Sequence, residues 1–195
     1  MNGPDDIAMR KQALRTQVRA ARRGLSAEAR ACEAANVVAQ LVALTMLHRP
    51  TDRKPLASYL ALRDELDLDQ LHRCWWSSGH ALWLPRVSGP GTLTWHPVRD
   101  PAHTTIGSFG LREPDFARVP AEPLPTDATV LVPGVAFTRD GQRLGQGKGF
   151  YDRVLAEHRG HTLGIAFRCQ VVENLPSEPH DQRVAVVVAA GELLR

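Results

Sequence analysis

The 195-residue chain contains only three cysteines, and their positions argue against two common kinds of structural site. Cys32, Cys74 and Cys169 are odd in number, widely spaced and form no Cys-x-x-Cys pair. A disulfide framework needs paired cysteines, and a structural zinc site needs closely spaced ligands. The eight histidines are equally dispersed, and no His-Glu-x-x-His pattern places two imidazole rings on one helical face. We therefore expect reduced, partly buried thiols and no zinc site.

A long apolar segment is also missing. No apolar run approaches the roughly 20 residues that a membrane-spanning helix needs, and residues 1–23 carry charges where a signal peptide has its apolar core. There is no internal repeat or low-complexity tract. Hydrophobic residues make up 43% of the chain and charged residues 23%, as is typical of globular proteins. We expect one domain spanning residues 1–195, located in the cytoplasm.

A strong excess of charge of one sign is likewise absent, because the formal net charge is only +3. Lys11, Arg15, Arg19 and Arg22 are spaced to share one face of the first predicted helix. A solvated helix face is the simplest interpretation of this cluster. The segment also lacks the interleaved aromatic residues that single-stranded nucleic-acid binding uses. We therefore expect neither nucleic acid nor a membrane as a partner.

Helical and strand-like patterns alternate along the chain. A second helix is predicted to begin after the N-cap residue Ser26 and to run through the apolar residues up to Leu44, and a third is predicted over 67–77. Five apolar runs are typical of strands: 56–60, 81–84, 130–132, 162–166 and 184–188. This alternation predicts an α/β fold, with a mostly parallel sheet that carries helices on both faces in a single three-layer domain. Ligands collect at the carboxyl ends of the strands in such folds.

The most informative segment is residues 145–152, which read Gly-Gln-Gly-Lys-Gly-Phe-Tyr-Asp. Glycine lets main-chain N–H groups approach a bulky anion and adopts the positive φ values that a concave loop needs. Lys148 adds positive charge, and Asp152 is a candidate metal ligand. A predicted strand, whose apolar run begins at Thr129 and ends at Pro133-Gly134, precedes the loop, and a predicted helix over 151–159 follows it. A loop that leads into a helix N-terminus in this way suits phosphate.

The loop nevertheless matches neither of two familiar nucleotide-binding patterns. In a Walker A loop the lysine precedes Ser or Thr, whereas Lys148 precedes Gly149. In the dinucleotide-binding pattern Gly-x-Gly-x-x-Gly, the third glycine comes one residue later than it does in this chain. Spacing alone therefore leaves a purely structural loop open as an alternative to a phosphate site.

Residues 133–152 resemble the signature of the 5-formyltetrahydrofolate cyclo-ligase family. The similar elements are Pro133-Gly134-Val135-Ala136-Phe137, Asp140-Gly141 and the run from Arg143 to Asp152. Further similar segments occur in the family's order at 11–15, 58–60, 64–67, 84–87 and 109–114. The resemblance thus extends over nearly the whole chain.

The resemblance implies an ATP-dependent ring closure. In the family, 5-formyltetrahydrofolate is converted to 5,10-methenyltetrahydrofolate: ATP phosphorylates the formyl oxygen, N10 attacks the formyl carbon, and phosphate leaves. The protein then has mainly to position the reactants and neutralise charge. ATP and 5-formyltetrahydrofolate are the implied partners, and the resemblance leaves open whether the folate carries a polyglutamate tail.

The same resemblance implies an ATP site formed by the loop and by the first helix. The loop residues are Arg143, Leu144, Gly145, Gln146, Gly147, Lys148, Gly149, Phe150 and Tyr151. Lys11 and Arg15 would approach the phosphates from the first helix, while Arg19 and Arg22 are expected to remain surface charges. Lys148 and Arg15 are the implied catalytic residues.

The resemblance further implies a magnesium site and a folate site. Asp152 and Asp181 match the Mg²⁺ ligands of the family, and carboxylates suit this hard cation. A helix-dipole partner and a turn residue are the respective alternatives for these aspartates. Glu65 matches a glutamate that contacts the folate, and Leu60 and Tyr151 are the other implied substrate contacts. An acidic helix start and core packing are the alternatives for Glu65 and Tyr151.

Two positions depart from the family pattern. Gln146 stands where several relatives carry arginine, so a charged contact is replaced by a neutral amide. Val184-Ala185 replaces a Val-Asp pair. The sequence therefore supports a working enzyme, with a non-catalytic paralogue that sequesters or regulates a folate or nucleotide as the alternative.

Overall fold

The computed structural model describes residues 4–46, 53–107 and 112–194. Its α-helices are α1 (Pro4–Arg23), α2 (Ala27–Met46), α3 (Asp69–Ser77) and α4 (Phe150–Glu157). Its strands are β1 (Leu56–Ala57), β2 (Leu82–Gly89), β3 (Thr92–Val98), β4 (Thr104–Ile106), β5 (Arg112–Pro114), β6 (Thr129–Pro133), β7 (Ala136–Phe137), β8 (Arg143–Leu144), β9 (Thr162–Ala166), β10 (Val186–Ala189) and β11 (Glu192–Leu194). Short 3₁₀ helices cover Pro101–His103 and Arg168–Gln170.

A seven-stranded sheet in the order β11-β10-β9-β6-β1-β2-β3 organises the chain. The five inner strands are parallel, and β3 and β11 pair antiparallel at the two edges. The prediction of a mostly parallel sheet is thus confirmed. Both edge strands follow their neighbours through tight turns, whereas each parallel pair needs a crossover connection.

The two faces of this sheet bury different helices. Because side chains alternate along a strand, Leu131 packs into one hydrophobic core while Val130 and Val132 pack into another. The first core also contains Leu41 of α2 and Trp75 of α3. The second contains side chains of α4. Helices therefore cover both faces, as the three-layer prediction requires.

Helix α1 packs at one end of the sheet. Its residues Leu14 and Val18 contact Val135, Ala136 and Leu144 around the small β7–β8 hairpin. This packing corrects the interpretation of α1 as carrying a solvated basic face, because Lys11 and Arg22 are only 6% and 5% exposed.

Helix α2 begins as predicted, because the Ser26 hydroxyl accepts a hydrogen bond from the Ala29 N–H at 3.1 Å. Within the described chain no helix is long and apolar enough to cross a membrane. Cys32 and Cys74 are exposed and Cys169 is half-buried, so only the last matches the expected partial burial.

The strand predicted to end at Pro133-Gly134 is confirmed as β6, and the chain turns there so that β7 can pair with β8 outside the main sheet. Several other predicted boundaries were wrong. The strand predicted over 56–60 is ordered as β1 for two residues only, and the one over 184–188 begins at Val186. The helix predicted over 151–159 covers Phe150–Glu157. The similar segment at 109–114 lies partly outside the described residues, since 108–111 are not described.

Candidate active site

The glycine-rich loop connects β8 to the N-terminus of α4. Gly147 and Gly149 adopt φ values of +96° and +67°, and Gly149 is the N-cap residue of α4. Left-handed backbone of this kind is what the glycines were predicted to provide. The loop therefore leads main-chain N–H groups into the positive end of a helix, which favours an anion.

Two cavities meet at this loop. The larger has a volume of about 720 Å³ and is lined by residues that include Lys11, Arg15 and Asp181. The smaller has a volume of about 220 Å³, and its lining includes Glu65 and Tyr151. Four residues line both cavities: Gly145, Lys148, Gly149 and Asp152. The loop is therefore the shared wall between a basic groove and a smaller, more enclosed pocket.

Lys11 is held by two carboxylates at the edge of the larger cavity. Its Nζ donates hydrogen bonds to Asp181 Oδ2 at 2.6 Å and to Glu178 Oε2 at 2.7 Å. Burial by itself lowers the pKa of Lys11, but the two hydrogen bonds and charges outweigh burial, so the pKa is raised above 10.5. The ammonium group stays charged, and it anchors α1 to the 178–181 turn.

Arg15 and Arg19, one turn apart on α1, both contact the glycine loop. Arg15 Nε donates to the carbonyl oxygen of Gly145 at 2.9 Å, and Arg19 donates to Gln146 Oε1. Burial and the nearby Arg19 charge lower the pKa of Arg15, but a guanidinium remains protonated. Arg19 stays at the surface as expected, but the packing of α1 beside the loop gives it a hydrogen-bond partner there. Position 146, where several relatives carry arginine, therefore holds a glutamine that accepts a hydrogen bond from Arg19.

Arg143 faces Asp152 from beneath the loop. Its side chain is only 3% exposed, and Nη2 donates to Asp152 Oδ1 at 2.8 Å while Nη1 donates to the Pro133 carbonyl oxygen at 3.3 Å. Arg143 Nε is buried without a hydrogen-bond partner among the described residues. Arg143 lines the smaller cavity. In this arrangement it positions Asp152, the carboxylate that both cavities share.

Glu65 and Tyr151 line the smaller cavity together. Burial raises the pKa of Glu65 above 4.5, against the opposing effects of the Leu62 N–H, of Arg22 and of the Gln146 amide. Burial and the Glu65 charge also raise the pKa of Tyr151, so its hydroxyl stays protonated. That hydroxyl is buried and has no hydrogen-bond partner in the described part of the chain. A polar ligand in this pocket would meet the carboxyl groups of Glu65 and Asp152 and the unpaired Tyr151 hydroxyl.

Lys148 differs from the other basic residues of the site. Its side chain is exposed at the boundary of the two cavities, and it makes no ion pair or hydrogen bond with any described residue. A lysine of this kind is available to a ligand without breaking an existing contact.

Asp152 and Asp181 line the same larger cavity, each with one carboxylate oxygen in use. Asp152 Oδ1 accepts from Arg143, and Asp181 Oδ2 accepts from Lys11 and from the Glu178 N–H at 2.6 Å. The other oxygen of each carboxylate accepts no hydrogen bond from a described residue, although Asp181 Oδ1 lies 3.9 Å from His180 Nε2. Two carboxylates that line one cavity together with Lys11, Arg15 and Lys148 suit a hard divalent cation beside a phosphate chain.

The structure brings most of the sequence-predicted residues to these two cavities. Leu144, Gly147 and Lys11 line the larger one, and Phe150 lines the smaller. Leu60 lines neither; it is half-buried against the core.

Several residues at the cavities were not predicted from the sequence. Glu178, Tyr59 and Gln182 are among them. No sequence pattern distinguished Glu178 from a turn residue, because its role depends on Lys11, 167 positions away.

The sequence matches the 5-formyltetrahydrofolate cyclo-ligase family over residues 7–190. A 5-formyltetrahydrofolate cyclo-ligase from Haemophilus influenzae is 32% identical over 178 residues, which cover 88% of this chain and 93% of the relative. The one from Mus musculus is 27% identical over 191 residues, with 91% and 92% covered. An NMR structure of the Aquifex aeolicus 5,10-methenyltetrahydrofolate synthetase superposes with a TM-score of 0.79 at 34% identity, covering 95% of this chain and 92% of that one. The chain therefore belongs to the 5-formyltetrahydrofolate cyclo-ligase family.

Proposed function

We propose that this protein catalyses the ATP-dependent cyclisation of 5-formyltetrahydrofolate to 5,10-methenyltetrahydrofolate. The observation that supports this reaction is the shared wall between the cavities. A nucleotide in the basic groove and a folate in the smaller pocket would both reach Lys148, which lines each cavity. Phosphoryl transfer between two bound reactants needs this kind of adjacency.

The chemistry consists of two displacements. The formyl oxygen attacks the γ-phosphorus of ATP, and ADP leaves. N10 then attacks the formyl carbon and gives up its proton, the bond from that carbon to the phosphorylated oxygen breaks, and inorganic phosphate leaves with the oxygen. Both steps move negative charge onto phosphate oxygens, so positioned cations accelerate them.

In this proposal Lys148 and Arg15 are the catalytic cations. The Lys148 side chain has no partner among the described residues to give up, and Arg15 is oriented by its hydrogen bond to the Gly145 carbonyl oxygen. The loop from Arg143 to Tyr151 encloses the phosphates, and main-chain N–H groups at the start of α4 face them. Lys11 approaches the phosphates of ATP from the other side of the groove, where Asp181 and Glu178 fix its ammonium group.

We assign the cation site to Asp152 and Asp181, each of which has one carboxylate oxygen that accepts no hydrogen bond from a described residue. When bound there, Mg²⁺ would neutralise charge on the phosphate oxygens of ATP. The residues of this chain then hold that site in place: Arg143 orients Asp152, and Lys11 orients Asp181.

We assign the folate to the smaller cavity, with Glu65 and Tyr151 as its polar contacts. The Glu65 carboxylate can accept hydrogen bonds from the pterin N–H groups, and the unpaired Tyr151 hydroxyl can donate one. A cavity of about 220 Å³ suits the pterin and its formyl group. Leu60 lines neither cavity, so its role as a substrate contact stays a prediction from the resemblance. The cytoplasmic location and the folding of residues 1–195 as one domain also stay predictions.

The decisive test mixes the purified protein with 5-formyltetrahydrofolate and MgATP and follows the absorbance of methenyltetrahydrofolate. Controls omit ATP or omit Mg²⁺. Product is expected only in the complete mixture. A folded protein that binds both ligands and forms no product would refute catalysis and support the non-catalytic paralogue that Gln146 raised as an alternative.

A further inference from the structure

Arg153 in α4 reaches across two separate segments of the chain. Its Nε donates to the Gly91 carbonyl oxygen at 2.7 Å, and its Nη2 donates to the Lys148 carbonyl oxygen at 3.0 Å. Gly91 lies in the turn between β2 and β3, whereas Lys148 lies in the glycine loop. One guanidinium group therefore joins this turn to the loop.

The turn is shaped to receive the guanidinium. Gly91 adopts a φ of +72°, and a Cβ atom at this position would overlap the end of the Arg153 side chain. Gly149, with a φ of +67°, would place a Cβ within 3.4 Å of Arg153 Nη1. Two glycines with left-handed backbone thus lie on either side of the same guanidinium group.

Charge pairing does not explain this arrangement. Arg153 is exposed, and it makes no ion pair with a carboxylate among the residues that the structure describes. Both acceptors are main-chain carbonyl oxygens. The planar, forked guanidinium group can donate to two such acceptors at once, whereas the lysine ammonium group cannot reproduce that geometry.

The two segments that Arg153 joins belong to different parts of the site. The loop carries Lys148 and lines both cavities, while the β2–β3 hairpin contributes Pro85, Val87 and Leu93 to the smaller one. Arg153 itself lines the larger cavity. Its hydrogen bonds therefore fix the phosphate side of the site relative to the folate side.

We propose that Arg153 is a positioning residue that holds the Lys148 segment of the glycine loop against the β2–β3 turn, and so sets where Lys148 meets the two reactants. The catalytic consequence of this inference rests on the proposed function. The restraint of the loop by Arg153 does not depend on catalysis and can be tested separately.

The test compares Arg153→Ala, Arg153→Lys and Gly91→Ala with the control Arg159→Ala. Arg159 is an exposed arginine beyond the end of α4 that contacts no described residue through a hydrogen bond or ion pair. Steady-state kinetics give kcat and KM for ATP and for the folate. Amide hydrogen exchange over 145–149 reports the restraint of the loop, and the melting temperature reports folding.

Both Arg153 variants are expected to lower kcat/KM for ATP by about 10- to 100-fold, the range that misplacement of a reacting group produces. They should also speed exchange in the loop, while Arg159→Ala leaves both unchanged. Because Gly91→Ala disturbs the same contact from the other side, the double variant with Arg153→Ala should be little worse than either single variant.

Kinetics within about twofold of wild type in both Arg153 variants would overturn the proposal. An unchanged rate of amide hydrogen exchange over 145–149 would also overturn it. So would a double variant whose loss of kcat/KM equals the product of the two single losses. If the wild type forms no product, the proposed function fails, but loop exchange with and without ATP still tests the restraint by Arg153 independently.

Discussion

Replacing Lys148 with alanine should separate catalysis from folding. The Lys148 side chain is exposed and has no partner among the described residues, so its removal breaks no contact within the protein. A surface substitution of this kind changes the free energy of unfolding by less than about 0.5 kcal/mol. The variant should therefore melt like the wild type.

The expected kinetic effect is much larger. A positioned donor that meets charge developing on oxygen contributes about 3 kcal/mol to the transition state, as removal of one oxyanion-hole donor shows in other enzymes. Since each 1.36 kcal/mol is about tenfold in rate, kcat/KM for ATP should fall by roughly 10²-fold. Lys148→Arg keeps the charge and should lose less.

The assay follows methenyltetrahydrofolate formation while ATP is varied, and a thermal melt is recorded on the same samples. Lys54→Ala is the matched control, because Lys54 is an exposed lysine paired with Asp127 at 2.9 Å. Wild-type kinetics in Lys148→Ala would refute the assignment of this lysine to ATP. A large drop in its melting temperature would refute the inference that its side chain is unpartnered.

Three further predictions concern the other charged residues of the site. Lys11→Ala leaves two partly buried carboxylates without their cation, so the free energy of unfolding should fall by about 2 kcal/mol in a denaturant titration, and ATP use should weaken as well. Asp152→Ala leaves the buried Arg143 guanidinium uncompensated, which should cost about 3 kcal/mol and raise the Mg²⁺ concentration needed for half-maximal rate. Glu65 has its pKa raised above 4.5 by burial, so the folded state binds its proton more readily than the unfolded state and the carboxylate costs stability as pH rises. Glu65→Gln should therefore stabilise the fold at neutral pH, with the gain vanishing below pH 4.5, while weakening folate binding in a ligand titration.

Each of these predictions has a result that would contradict it. An unchanged free energy of unfolding in Lys11→Ala would mean that solvent fully screens the carboxylates of Glu178 and Asp181. An unchanged Mg²⁺ requirement in Asp152→Ala would remove this aspartate from the cation site. A stability gain for Glu65→Gln that grows toward low pH would have the wrong sign for a raised pKa.

Local chemistry made part of the fold predictable from the sequence. The apolar run 162–166 and the Ser26 N-cap each encode their element through neighbours in the chain, so both were placed correctly. The antiparallel edge strands β3 and β11 were missed, because their positions depend on pairing with β2 and β10 more than on their own pattern. The β7–β8 hairpin escaped notice for the same reason.

The candidate site, like the fold, was predictable from the sequence only in part. Sequence by itself determined that residues 145–149 form a glycine loop with a lysine ahead of a helix, since positive φ and helix-terminal N–H groups follow from local chemistry. Only the tertiary structure decided which partners this loop has. Packing of α1 brings Arg15 and Arg19 to it, and folding of the 178–181 turn brings Glu178 to Lys11. Contacts between residues more than 100 positions apart depend on how the helices and sheet pack, and no local pattern contains that information.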